Sequence, residues 1–194
     1  DTDFIEGAYR AVFARSADPG GINVYSQVIK DGSIDSRKVM IQTILQSQWT
    51  FRAVLSPRQL YERMVEFWSD HFNIEIGKVG YLKIVDDREV IRKYALGKFS
   101  DLVKASAKSP AMLAYLDQTV SRVGAPNQNY ARELLELHTL GVDGGYSQDD
   151  VAELSRVLTG WTIQGRGIFS FDPTRHDWGQ KVVMGVTIPA GSPS

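Results

Sequence analysis

No cysteine occurs among the 194 residues. That absence excludes disulfides, thiolate metal sites and a cysteine nucleophile, and it is compatible with an oxidising compartment. Neither sign of charge is in excess. Lys and Arg number 22 against 23 Asp and Glu, for a net charge of −1. The basic face expected of a nucleic-acid binder is therefore missing, as is a polybasic membrane-surface segment. No run approaches the roughly 20 apolar residues that a bilayer-crossing helix needs. Phosphate-binding glycine loops are also missing, since Pro19-Gly20-Gly21 fits neither the dinucleotide nor the Walker pattern. Ser155 and Ser170 lack the glycines of a nucleophile elbow. No motif calls for a cofactor. With only three histidines, a metal site would need ligands converging from separate elements, and the spacing assigns none.

What is present is an ordinary globular composition, 43% hydrophobic and 23% charged, rich enough in apolar residues to bury a core. The chain divides into a small helical segment, about residues 1–50, and a longer one, about 60–188. In the first, Asp3 is placed to cap a helix carrying Ile5, Ala8, Tyr9 and Val12, which stops at Asp18-Pro19-Gly20-Gly21. A second helix runs from about Ile22 to Lys30. A third puts Met40, Thr43, Ile44 and Ser47 on one face. The second segment opens with the clearest amphipathic helix. Tyr61, Met64, Val65, Trp68, His71 and Phe72 form its apolar stripe, and Glu62, Glu66, Ser69 and Asp70 lie opposite. Further helices are expected from Asp87 to Leu96, from Ser100 as cap, from Ser109-Pro110 with proline at the first helical position, and from Asn129 to Leu140 ahead of Gly141. Ser147 and Asp150 form an S-x-x-D capping pair. Gly167–Phe171 and Lys181–Met184 read as two strands joined through residues 173–177. The expected fold is mainly α, a multi-helix bundle with a small C-terminal β-hairpin.

Certain runs point to a family. Asn129-Tyr130-Ala131-Arg132-Glu133-Leu134-Leu135-Glu136-Leu137-His138-Thr139-Leu140-Gly141 is followed by Gly144-Gly145-Tyr146 and Val157-Leu158-Thr159-Gly160-Trp161. With Phe67-Trp68, His71-Phe72, Pro110-Ala111-Met112-Leu113 and His176-Asp177, these resemble the bacterial domain-of-unknown-function family 1800, over about residues 60–188. Phe4, Tyr9, Phe13, Arg15, Asp18-Pro19, Gly21 and Tyr25, then Ile44-Leu45 and Ser47, are similar to family 4214, a small helical linker-like module. The resemblance implies an exported bacterial protein, extracytoplasmic, that acts beside another exported protein or a second copy of itself. It also implies that 60–188 is the central part of a longer domain, so the natural chain is expected to continue past Ser194. It assigns no activity.

The residues leave two functions open. One is an interaction or assembly module. The other is a hydrolase of an extracellular polymer, and whether the chain is an enzyme stays undecided between them. At 100° per residue, Asn129, Arg132, Glu133 and Glu136 fall within roughly 100° of helix arc. That stripe reads as a solvated face with an Arg132–Glu136 pair, or as a polar site in which Glu133 is a general base and Arg132 holds an anion. Glu133 and His138 stand about 140° apart on the same helix, so they do not reproduce the i, i+4 ligand pair of a zinc helix. His138 reads as a core histidine among Tyr130, Ala131, Leu134 and Leu137. His71, at the margin of its stripe, and His176, in a loop beside Asp177, complete the catalytic candidates. Asn129, Glu136 and Asp177 are the binding candidates. Asp143–Asp150 fails the calcium-loop spacing, with Gln148 in the glycine place.

Overall fold

The computed structural model describes Thr2, Ile5, Glu6, residues 18–29 and residues 34–193. The Asp3 cap and most of the helix expected after it lie outside the described residues. The fold is mainly helical, with short antiparallel hairpins near the C-terminus. It forms two compact units. One gathers the described residues up to Asp70 with Ile74–Leu96, and the other gathers His71–Asn73 with the chain from Gly97.

In the first unit, α1 (Pro19–Val28) begins within the Asp18–Gly21 stretch read as a turn, ahead of the start expected near Ile22. The Asp18 carboxylate accepts the Gly21 N–H, and Pro19 takes the position that has no donor to lose. Helix α2 (Ile34–Leu55) buries Met40 and Ile44 completely, as their i, i+4 spacing requires. Thr43 faces solvent instead, with its hydroxyl on the Val39 carbonyl. The helix does not stop at residue 50; with no glycine or proline before Pro57, it runs on to Leu55. Helix α3 (Gln59–His71) turns Val65 inward. The Tyr61 hydroxyl and the Trp68 indole N–H donate to the Arg92 and Ala95 carbonyls, 2.6 and 3.0 Å away. Short helices α4 (Ile76–Val79) and α5 (Leu82–Asp86) follow. A π-helical turn (Asp87–Ile91) then runs into α6 (Arg92–Tyr94).

In the second unit, α7 (Phe99–Ala107) starts at Lys98 rather than under a Ser100 cap. Helix α8 (Pro110–Tyr115) has proline at its first position and buries Ala111, Met112 and Leu113. After a 3-10 turn, α9 (Gln128–Glu136) is capped by the Asn127 side chain, which accepts from Asn129 and Tyr130 N–H. Helix α10 (Gln148–Val157) opens with the expected Ser147/Asp150 reciprocal pair and closes on Leu158 as its C-cap, with Gly160, φ 84°, two residues further on. Strands β1 (Trp161–Gln164) and β2 (Ile168–Phe171) pair with each other, as do β3 (Lys181–Val183) and β4 (Val186–Ile188). The two strands read from sequence therefore belong to separate hairpins. The turns explain it. Gly165 and Gly167 supply positive φ between β1 and β2, and Met184-Gly185 supplies two consecutive positive φ values between β3 and β4, the geometry of a tight two-residue hairpin. The edge N–H groups of Val182 and Met184 are taken up by Glu153 and Asp150 of α10, which blunts that strand edge.

Candidate functional site

A buried charge arrangement that the sequence does not single out belongs to the first unit. On a helix, positions i, i+3 and i+4 share a face. Lys83, Asp86 and Asp87 occupy such positions, and all three are buried. Lys83 Nζ lies 3.6 Å from Asp86 Oδ2. Next to them, Arg92 Nε donates to Asp87 Oδ2 at 3.0 Å, while its two terminal nitrogens grip both Glu62 oxygens at 3.3 and 2.9 Å. Residues five apart on an α-helix point about 140° away from each other. Here the π turn, closed by the Arg92 N–H on the Asp87 carbonyl, winds more residues into the circuit and brings that pair together. Such turns are rare and recur at functional sites. Burial opposes the charge on Arg92, but Glu62 and Asp87 outweigh it and raise its proton affinity.

An open depression of about 480 Å³ borders this network, lined by Gln48, Phe51, Arg52, Leu55, Ser56 and Glu62. Arg52 is half-buried there. Among the described residues its guanidinium has no hydrogen-bond or ion-pair partner. Burial first, and then the like charge of Arg92, lower its proton affinity; Glu62 and Asp87 pull the other way. Along the same helix end Phe51, Val54 and Leu55 are 66%, 70% and 69% exposed, and Leu60 beyond the bend is 71% exposed.

The residues singled out from sequence are spread out. Asn129 is exposed, and Arg132, Glu133 and Glu136 are half-buried on α9. Arg132 bonds the Gln148 side chain at 2.7 Å instead of pairing with Glu136. Tyr146, raised by burial and by Glu136, is the phenol beside that carboxylate. His138 is buried, past the end of α9, with its ring 5.2 Å from Phe72 and 6.3 Å from His71. His71 Nε2 lies 3.2 Å from the His138 carbonyl oxygen. Burial, then the charge of His71, push His138 down to about 4, so it is neutral near pH 7. Leu137, expected in the apolar arc, is 55% exposed because the helix ends at Glu136.

His176 and Asp177 point into different surroundings. The His176 ring is buried, packed edge-on to Phe171 and Trp178. Its Nδ1 lies 2.7 Å from the Thr159 carbonyl oxygen, so that nitrogen carries the proton. Nε2 is buried without a hydrogen-bond partner among the described residues. Asp177 accepts from Arg156 Nε at 2.8 Å and from the Gly179 N–H at 2.9 Å; Arg156 above all holds its carboxyl below the usual range. Arg156 also binds Glu153 at 2.6 Å. Lys181 is buried and donates to the Asp177 and Gly179 carbonyls. Among the described residues no hydrogen bond or ion pair joins any two of Arg132, Glu133, Glu136, Asn129, His71, His176 and Asp177, and no three potential ligands cluster as a metal site.

With that geometry in view, the chain belongs to the family described as protein of unknown function (DUF1800), whose model matches residues 9–194. The match takes in most of the first segment as well as the α9 motif. No curated protein and no solved structure matches the chain. No helix among the described residues is long and apolar enough to cross a membrane.

Proposed function

We propose that the chain is an interaction or assembly module of an exported bacterial protein, with its docking surface at the C-terminal end of α2. One observation carries this reading. Four large apolar side chains, Phe51, Val54, Leu55 and Leu60, stand more than 60% exposed along the end of α2 and the start of α3. Clustered exposure of that kind marks protein surfaces that bind other proteins. The similarity of the first segment to a linker-like module and the near-neutral net charge agree with it. Its partner is another exported protein or a second copy of the chain. An extracytoplasmic location is in keeping with the family resemblance.

Light scattering on a size-exclusion column, together with co-sedimentation with cell-envelope fractions, tests the reading. The wild-type chain should self-associate or be retained by the envelope fraction, and the double variant Phe51→Ser, Leu55→Ser should lose that behaviour while keeping its helical spectrum. A wild-type chain that stays monomeric at high concentration and is never retained contradicts it.

A further inference from the structure

We infer that the depression beside Arg52 receives a carboxylate side chain of a partner protein, carried on a segment whose flanking residues are aliphatic. The inference rests on the docking surface proposed above and says what that surface recognises. Arg52 presents a planar fork of donors suited to a carboxylate. It is half-buried, and among the described residues nothing accepts from it. A polar group withdrawn from water without a partner is costly, and the neighbouring Arg92 adds repulsion. An incoming anion relieves both. Glu62, the one carboxylate in the lining, does not fill this role, because both its oxygens are held by Arg92.

The walls choose the rest of the ligand. Phe51 and Leu55 flank Arg52 and are mostly exposed, so aliphatic groups either side of the carboxylate gain burial there. Val54 and Leu60, near in the chain but outside the depression's lining, are mostly exposed as well, and a small carboxylic acid seated beside Arg52 would leave them uncovered. An extended segment of a protein matches that reach.

The test uses the full chain and two tetrapeptides, acetyl-leucyl-glutamyl-leucyl-leucine amide and its glutaminyl counterpart, with sodium acetate as a third probe. Binding is followed by NMR, through the Arg52 side-chain Nε–H signal and the backbone amides of residues 48–62. The glutamyl peptide should shift these signals and bind at least tenfold more tightly than the glutaminyl peptide, and acetate should be far weaker than either. Arg52→Gln should abolish the tenfold preference, and Arg52→Lys should restore only part of it. Equal affinity for the two peptides, an undiminished preference in Arg52→Gln, acetate binding as tight as the glutamyl peptide, or no shift at residues 48–62 overturns the inference. Self-association or envelope retention lost in Phe51→Ser, Leu55→Ser would still stand after such a result, so failure here is distinguishable from failure of the docking surface itself.

Discussion

His138 ties one side chain to a pH dependence. Its ordinary value of 6.5 falls to about 4 in the folded chain, first through burial and then through His71. As pH drops through 6.5 the unfolded chain gains a proton at this site and the folded chain does not. Stability from this group is therefore full above about pH 6.5 and is lost as pH falls toward 4, by about 3 kcal/mol at roughly 1.4 kcal/mol per tenfold change in proton affinity. Urea unfolding at pH 7 and pH 4.5 should show that loss in the wild type and a clearly smaller one in His138→Phe; equal losses contradict it. Gly160 makes a second prediction at this scale. Its φ is 84°, and a Cβ there would sit 2.6 Å from the Asp172 carbonyl oxygen, whose own residue donates back to the Gly160 carbonyl. Gly160→Ala should lower stability by about 1–3 kcal/mol, read as a fall in melting temperature; an unchanged melting temperature contradicts the account. His138 was legible in the sequence as a core histidine, and Gly160 as part of the Val157–Trp161 run. The charged groups were not. Lys83 and Asp87 lie on the same helical face as Ile84, Val90 and Ile91, and charges within an apolar stripe were a readable sign of buried pairing. Glu62, the partner of Arg92, falls by its spacing on the opposite, solvated side, because a pair thirty residues apart leaves no local period.

Among the elements, periodicity and caps located the helices well. The Ser147/Asp150 box and the proline of α8 each follow from one or two residues acting on their own backbone, whereas Asp18-Pro19, read as a turn, starts a helix. Pairing between elements was less legible. Strand segments near 168–171 and 181–183 could be read, but which strand each would join depended on Gly165, Gly167 and Met184-Gly185 adopting positive φ. The π turn is the element most tied to energetics, since it places Asp87 and Arg92 within reach of one another. Removing Arg92 leaves Glu62 and Asp87 as neighbouring carboxylates with side chains only 12% and 6% exposed. Arg92→Ala should cost about 3–5 kcal/mol, measured as a lower denaturation midpoint. Arg92→Lys should recover part of it, because one ammonium cannot reproduce the bidentate grip on Glu62. A cost under about 1 kcal/mol for Arg92→Ala would show that this pairing adds nothing to stability.

For the whole molecule, the sequence conveyed the class of fold and the family more fully than the site. The α9 motif carried the resemblance, yet its polar residues turn to local partners such as Gln148, while one concentration of exposed apolar side chains, Phe51, Val54, Leu55 and Leu60, falls at the end of α2 and the start of α3. That concentration depends on where the chain leaves α2 and re-enters α3, which the hydrophobic period of either helix alone does not report. Photo-crosslinking addresses the surface directly. A benzoyl-phenylalanine in place of Phe51 and, in a separate chain, in place of Ile168, which is 68% exposed, is irradiated in cells that make the protein natively. The account predicts a discrete protein adduct from position 51 that is lost on adding Leu55→Ser, and none from position 168. Equal adducts from both positions, or none from position 51, contradict it.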